Sequence, residues 1–129
     1  MTGVCRYVLA FVLLLPALAS AQDLKTIAGK WAGDGGLKGA TNNGAYTYAN
    51  SGVVELTIAE DGSAEFLVGR NRVKAPATFR VQDGKIQYET AQSTGVVTLI
   101  ETGGKRILKG ESVRKDGSGE GWFEVKPKQ

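Results

Sequence analysis

VVELTIAEDGSAEFLV, residues 53–68, is the stretch whose reading decides the fold. Apolar and polar residues alternate on both sides of Glu60-Asp61-Gly62. A period of two is the mark of a half-buried strand. The turn then sets the register. A two-residue turn at Asp61-Gly62 puts Ile58 beside Glu65. A three-residue loop, Glu60-Asp61-Gly62 with Gly62 in the left-handed region, pairs Ile58 with Ala64, Leu56 with Phe66 and Val54 with Val68. A one-residue slip would turn a whole face outward, so the second register is the one the pattern supports. Only glycine takes that backbone conformation at little cost.

The same test works outward along the chain. Turn dipeptides recur at Asn43-Gly44, Asp83-Gly84, Gly103-Gly104 and Asp116-Gly117, between runs rich in Val, Ile, Thr, Phe and Tyr. These are hairpin signals. A two-residue turn at Asn43-Gly44 sets Trp31 opposite Leu56 and Gly33 opposite Val54, and leaves Lys30, Ala32, Asp34, Gly36 and Lys38 to water. At Asp83-Gly84, Val81 meets Ile86 and Phe79 meets Tyr88. At Gly103-Gly104, Leu99 meets Leu108 and Val97 meets Gly110. At Asp116-Gly117, Leu108 meets Val125 and Gly110 meets Phe123. The last two choices agree on one face but turn Ile100, Ile107 and Trp122 outward, which a bulge would repair.

The expectation is an all-β chain: an antiparallel up-and-down meander of about eight strands, near 29–41, 45–60, 63–74, 77–82, 85–91, 95–102, 105–114 and 119–126. Residues 22–28 supply one short helical turn. A meander with one apolar face has two exposed edges unless it closes into a barrel. Eight strands enclose an interior that is filled by side chains or holds one small ligand. A membrane barrel fits poorly. The outward positions include Glu55, Arg80, Gln87 and Glu89, with no apolar outer band flanked by aromatic girdles.

Residues 1–21 have the layout of a secretory signal peptide: a short start with Arg6, an apolar run over 7–18, and Ala19-Ser20-Ala21 as a small-x-small cleavage site. The run is too short to span a bilayer. The expected product is a single domain over 22–129, exported to the periplasm or beyond. Its 108 residues suffice for one core. Its net charge is +2 once Arg6 is removed, with the charges scattered, which gives no case for nucleic acid. Cys5, the one cysteine, lies in the leader, so the exported chain has no disulfide. There is no histidine, so the usual zinc, copper and haem ligands and the Ser-His and Cys-His pairs are missing; no cofactor is expected. Asp34-Gly35-Gly36 has no following helix for a phosphate loop and too few carboxylates for calcium. The glutamates mostly alternate outward and form no pair in a cleft, so no enzyme is expected.

Gly29-Lys30-Trp31, on the first strand just after a helical turn, resembles the Gly-x-Trp opening of the lipocalin and wider calycin barrels. The similarity in strand order covers most of 24–126, and the size is that of small exported bacterial barrels. The resemblance implies that Trp31 closes the base of the barrel and that the cup binds a small hydrophobic molecule. It also implies an Arg or Lys from a late strand packed across Trp31, with Lys109 and Lys126 as candidates. Avidin-like barrels are similar in pattern but use several tryptophans, and only Trp31 and Trp122 are present. Small exported inhibitors of proteases are similar in barrel and size, which keeps a protein partner open.

Tyr46 and Tyr48 sit on the same alternating face as Val54, Leu56 and Ile58. If the strand over 63–74 runs unbroken, Tyr48 meets Lys74 and Asn50 meets Arg72, with Arg70 nearby. Two tyrosines and three cations would then ring one end of the barrel and take the head group of an anionic amphiphile. If Gly69 shifts the register, Arg70, Arg72 and Lys74 face outward and Val73 inward. Gly29, Gly33, Gly35 and Gly39 leave room on the inner face of the first strand, for a ligand or for facing rings. Trp122 is either a rim aromatic for a partner or inward with Phe123 outward. The function expected is binding: a small hydrophobic or amphiphilic ligand held by Tyr46, Tyr48, Arg70, Arg72 and Lys74. The alternative is a protein-binding module, such as an inhibitor of an exported hydrolase, acting through 35–44 or Trp122.

Overall fold

The computed structural model describes residues 24–41 and 46–128. The leader expected over 1–21 and the Asn43-Gly44 turn lie outside the described residues. After a helical turn at 24–27 come eight strands: β1 (Gly29–Thr41), β2 (Tyr46–Ile58), β3 (Ser63–Val68), β4 (Val73–Gln82), β5 (Lys85–Glu89), β6 (Ser93–Thr102), β7 (Lys105–Arg114) and β8 (Gly119–Pro127). Each pairs antiparallel with the next, and β8 returns to β1, so the sheet is a closed barrel. No helix among the described residues is long and apolar enough to cross a membrane.

The registers read from the turns hold. Trp31 faces Leu56 and Gly33 faces Val54. Ile58, Leu56 and Val54 face Ala64, Phe66 and Val68 across a loop in which Gly62 has a φ of 96°. Phe79 faces Tyr88, Leu99 faces Leu108, and Gly110 faces Phe123. The inward residues build one core, with Trp31, Leu56, Phe79, Leu108, Val125 and Ile27 almost wholly buried. Burial of this kind is what holds a chain without disulfides together.

Two expectations need correction. First, β3 stops at Val68 and β4 starts at Val73, rather than at 74 and 77. Gly69 turns the chain with a φ of 76°, its N–H bonded to the Val53 carbonyl at 2.8 Å, and Val68 pairs with Val73. Pro76 therefore lies inside β4, opposite Glu65. β5 pairs only from Thr78 onward, so Pro76 has an edge-like position, which a residue without an N–H tolerates. Second, no bulge corrects Ile100, Ile107 and Trp122. The β6–β7 pairing runs unbroken from Ser93↔Arg114 to Thr102↔Lys105, and the β7–β8 pairing is likewise continuous from Leu108↔Val125 to Val113↔Glu120. Ile100 and Ile107 face each other and are half-buried. Trp122 lies over Gly36, its Nε1 2.6 Å from where a Cβ would stand, and Phe123 is the inward neighbour.

The outer wall carries ion pairs that give acid sensitivity. Glu55 meets Arg72 at 2.8 Å and Lys128 at 3.1 Å. Those partners, Arg72 first, hold its carboxyl below the ordinary 4.5, and Lys115 does the same for Glu89. Asp61 and Asp116 are held below 3.8 chiefly by hydrogen bonds from Ser63 and Ser118. A carboxylate with a lower pKa folded than unfolded binds fewer protons in the native state through that window. Its contribution is present above the unfolded value and is lost as pH falls through the folded one. With no histidine in the chain, the urea midpoint should stay level between about pH 6 and pH 8 and fall below about pH 4.5. Glu55→Gln should make that acid limb shallower, and high salt should do the same for the ion-paired part. An unchanged acid limb in Glu55→Gln would remove Glu55 from this account.

Candidate functional site

The two ends of the barrel differ. At one end Ile27 and Trp31 form a closed base, with the Trp31 Nε1–H donating to the Ile27 carbonyl at 2.8 Å. Arg106 crosses the indole, its guanidinium carbon 5.2 Å from the ring centroid, and donates to the Thr26 carbonyl. The late-strand cation over Trp31 is therefore Arg106. Lys109 and Lys126 are exposed on the outer wall, Lys109 bridged to Glu124 at 3.2 Å.

The middle of the barrel is filled by rings. Phe66, Phe79, Tyr88 and Phe123 pack with centroids between 5.4 and 6.4 Å apart. Phe123 occupies the space over Gly110 and Tyr88 that over Gly95, positions where a side chain would collide with the ring. Burial pushes the Tyr88 hydroxyl above its ordinary 10.0, against a lowering hydrogen bond from Ser112, so it is a neutral group at neutral pH. The room expected at Gly33 is taken by the β8 backbone; Gly35 is crowded by Val54 and the Trp122 carbonyl but still borders the cavity described next.

Above the rings the barrel opens into a cavity of about 400 Å³. Phe66, Tyr88, Phe123 and Val54 form its floor, and Leu37, Val68 and Ala75 are apolar wall. Asn50, Ser51, Thr90, Gln92 and Ser93 are its polar rim, and Arg114 is the one charged side chain among its described lining residues. That volume falls at the lower end of the ~300–1,000 Å³ usual for small-molecule sites.

The expected ring of two tyrosines and three cations does not assemble. Tyr48 is on the inward register and half-buried, on the arm where β1 and β2 continue past the end of β3. Tyr46 pairs with Thr41 on the same arm, and its side chain lies outside the described residues. Arg70 and Arg72 belong to the turn after β3, exposed, with Arg72 bound to Glu55 on the outer wall. Lys74 faces Leu67 on the outward register, not Tyr48. The break at Gly69 is the reason: it ends the alternation that would have carried the three cations inward. Val73 keeps the inward register but stands exposed at the rim.

Arg114 was not among the expected site residues, although its signal is in the alternation. Leu108 and Gly110 are inward, so Ser112 and Arg114 follow on the same face, and Arg106 precedes them at the base. On the outside, Val96, Val113 and Trp122 are exposed along a groove of about 850 Å³ shared with Arg80, Glu111 and Glu120.

Compared with known protein families, curated proteins and solved structures, the chain matches none. An eight-stranded antiparallel closed barrel behind a helical turn is consistent with a calycin-like fold.

Proposed function

We propose that this chain is an exported, non-enzymatic binding protein of the lipocalin-like type that holds one small hydrophobic or amphiphilic molecule in the open end of its barrel. The observation that carries the reading is the 400 Å³ cavity with an aromatic floor and apolar walls. Apolar concavity with a few polar groups at its rim is the usual form of a small-molecule site. Trp31 under Arg106 supports the lipocalin-like part, and the leader-like layout of 1–21 supports export.

The test is a fluorescence titration of the purified protein with N-phenyl-1-naphthylamine, a neutral apolar probe. The native chain should show saturable binding at one site. Val68→Trp should weaken it by at least about ten-fold, because a large ring at this wall position fills the cavity. Val68 is 42% exposed, so the barrel should keep its melting temperature. A native chain that binds no apolar probe would sink the cavity reading. It would favour a second one, a protein partner such as an exported hydrolase on the outer groove, where Trp122 is 45% exposed beside Val96 and Val113.

A further inference from the structure

We propose that the free edge of β2 pairs with the same edge of a second copy of this chain, giving a closed antiparallel dimer. The proposal does not depend on what the cavity holds.

β1 and β2 pair along their whole length, from Gly29↔Ile58 to Thr41↔Tyr46. β3 accompanies β2 only from Ile58 to Val54. The last bond on that side runs from the Gly69 N–H to the Val53 carbonyl, at 2.8 Å. Among the described residues no strand lies beside β2 beyond it. Strand parity says which backbone groups are left over. Val53 bonds toward β3, so Thr47, Ala49 and Ser51, at steps of two from it, turn their N–H and C=O groups the same way. Tyr48 and Asn50, between them, turn theirs toward β1. A row of alternating donors and acceptors is what an added strand needs.

This edge is unguarded. β4 also runs past its partner, over 73–77, but there Lys74 and Pro76 protect it. Residues 46–53 of β2 contain no proline and no charge of either sign. The nearest cation on the outer face, Lys38 opposite Ala49, is bridged to Glu120 at 3.4 Å. Exposed apolar side chains flank the notch as well: Val53 at 53%, Val68 at 42% and Val73 at 61%.

The occupant that fits is the edge itself. With a two-fold axis at Ala49, Thr47 meets Ser51 of the second copy and Ala49 meets Ala49. Every free N–H then faces a free C=O, and the side chains on those residues are all small. Two identical strands meet without like charges opposed, because neither carries any. The turns bearing Arg70 lie about 25 Å apart in such a pair, well beyond the screening length of physiological salt. The contact is isologous, so it uses up both edges and stops at two copies. It is also short, below the ~1,200 Å² of a stable interface, so half-dimerisation is expected near about 100 µM.

The test is sedimentation equilibrium of the purified protein from about 5 µM to about 1 mM, around that expected midpoint. The native mass should rise from one chain to a plateau at two. Ala49→Pro removes one free N–H and no bond of the barrel, so it should stay monomeric at every concentration and melt within about 3 °C of the native chain at the dilute end. Ala49→Ser keeps the N–H and should dimerise as the native chain does. Amide hydrogen exchange of the native chain gives a readout that needs no variant. The Thr47, Ala49 and Ser51 amides should exchange freely when dilute and slow at least about ten-fold when concentrated, while the Gly69 amide, already bonded to Val53, should not change. A native chain still monomeric at the top concentration would overturn the proposal and leave the edge to an extended segment of another protein. So would a dimer that survives Ala49→Pro, a mass that climbs past two without a plateau, or a dimer that leaves those three amides unprotected.

Discussion

Trp31→Ala should lower unfolding stability by about 3–5 kcal/mol, the loss usual for a large aromatic removed from a core. Against a total of about 5–15 kcal/mol for a small domain, that leaves little. The ring is 2% exposed and does three things. It fills the closed end against Ile27. Its N–H holds the Ile27 carbonyl, which pins the helical turn of 24–27 to the barrel. Its face carries the Arg106 guanidinium, which in turn donates to Thr26. Trp31→Phe keeps the face and much of the volume but not the N–H, so it should lose only about 1–2 kcal/mol. Urea unfolding of the two variants separates filling from pinning. A loss below about 1 kcal/mol in Trp31→Ala would mean that the base is not held by this residue. Because Arg106 acts through the ring, Arg106→Ala should add little once Trp31 is gone, and the double variant measures that coupling.

Strand order was legible in this sequence because the turns are written in residues with few alternatives. Asp83-Gly84 and Gly103-Gly104 take left-handed conformations at both positions, with φ of 55° and 74°, and of 59° and 79°. Those are the hairpin turns that such dipeptides favour. The turn at 69–72 was not legible in the same way. Asn71 stands where no Asn-Gly or Asp-Gly marks it, and Arg72 adopts a φ of 51° that arginine rarely takes. Read through as strand, the stretch carries its cations inward; with the turn, they go to the outer wall. The site failed on a second rule as well. Arg106 and Arg114 follow the same alternation as Leu108 and Gly110, although charge taken alone argues for the outside. At the two ends of a barrel the inward face meets water or a capping ring, and a long cation can lie there with its head at the rim. Alternation outranks polarity at those ends, and Lys109 and Lys126, on the other face, were never able to reach Trp31.

Gly33→Ala should open the closing seam of the barrel. Gly33 is paired on both sides, with Val54 of β2 and Val125 of β8. A Cβ there would stand 2.1 Å from the Glu124 carbonyl oxygen and 2.9 Å from the Val125 Cα. Both are backbone atoms in a paired strand, so no rotamer change relieves the contact. A slip of β8 by one residue would turn Phe123 and Val125 outward and empty the core. What remains is separation of β1 from β8, with an expected loss of about 3 kcal/mol, the upper range for overpacking. It would also expose two strand edges, so the variant should self-associate as concentration rises. Gly52→Ala is the matched control, a glycine in β2 where an added Cβ meets nothing within 4 Å. It should change stability by no more than about 0.5 kcal/mol, or raise it slightly by restricting the unfolded chain. Urea unfolding and size-exclusion chromatography of the pair make the comparison. Equal stabilities and a monomeric Gly33→Ala would mean that the β1–β8 seam has slack, and that closure of this barrel does not depend on the bare backbone at Gly33.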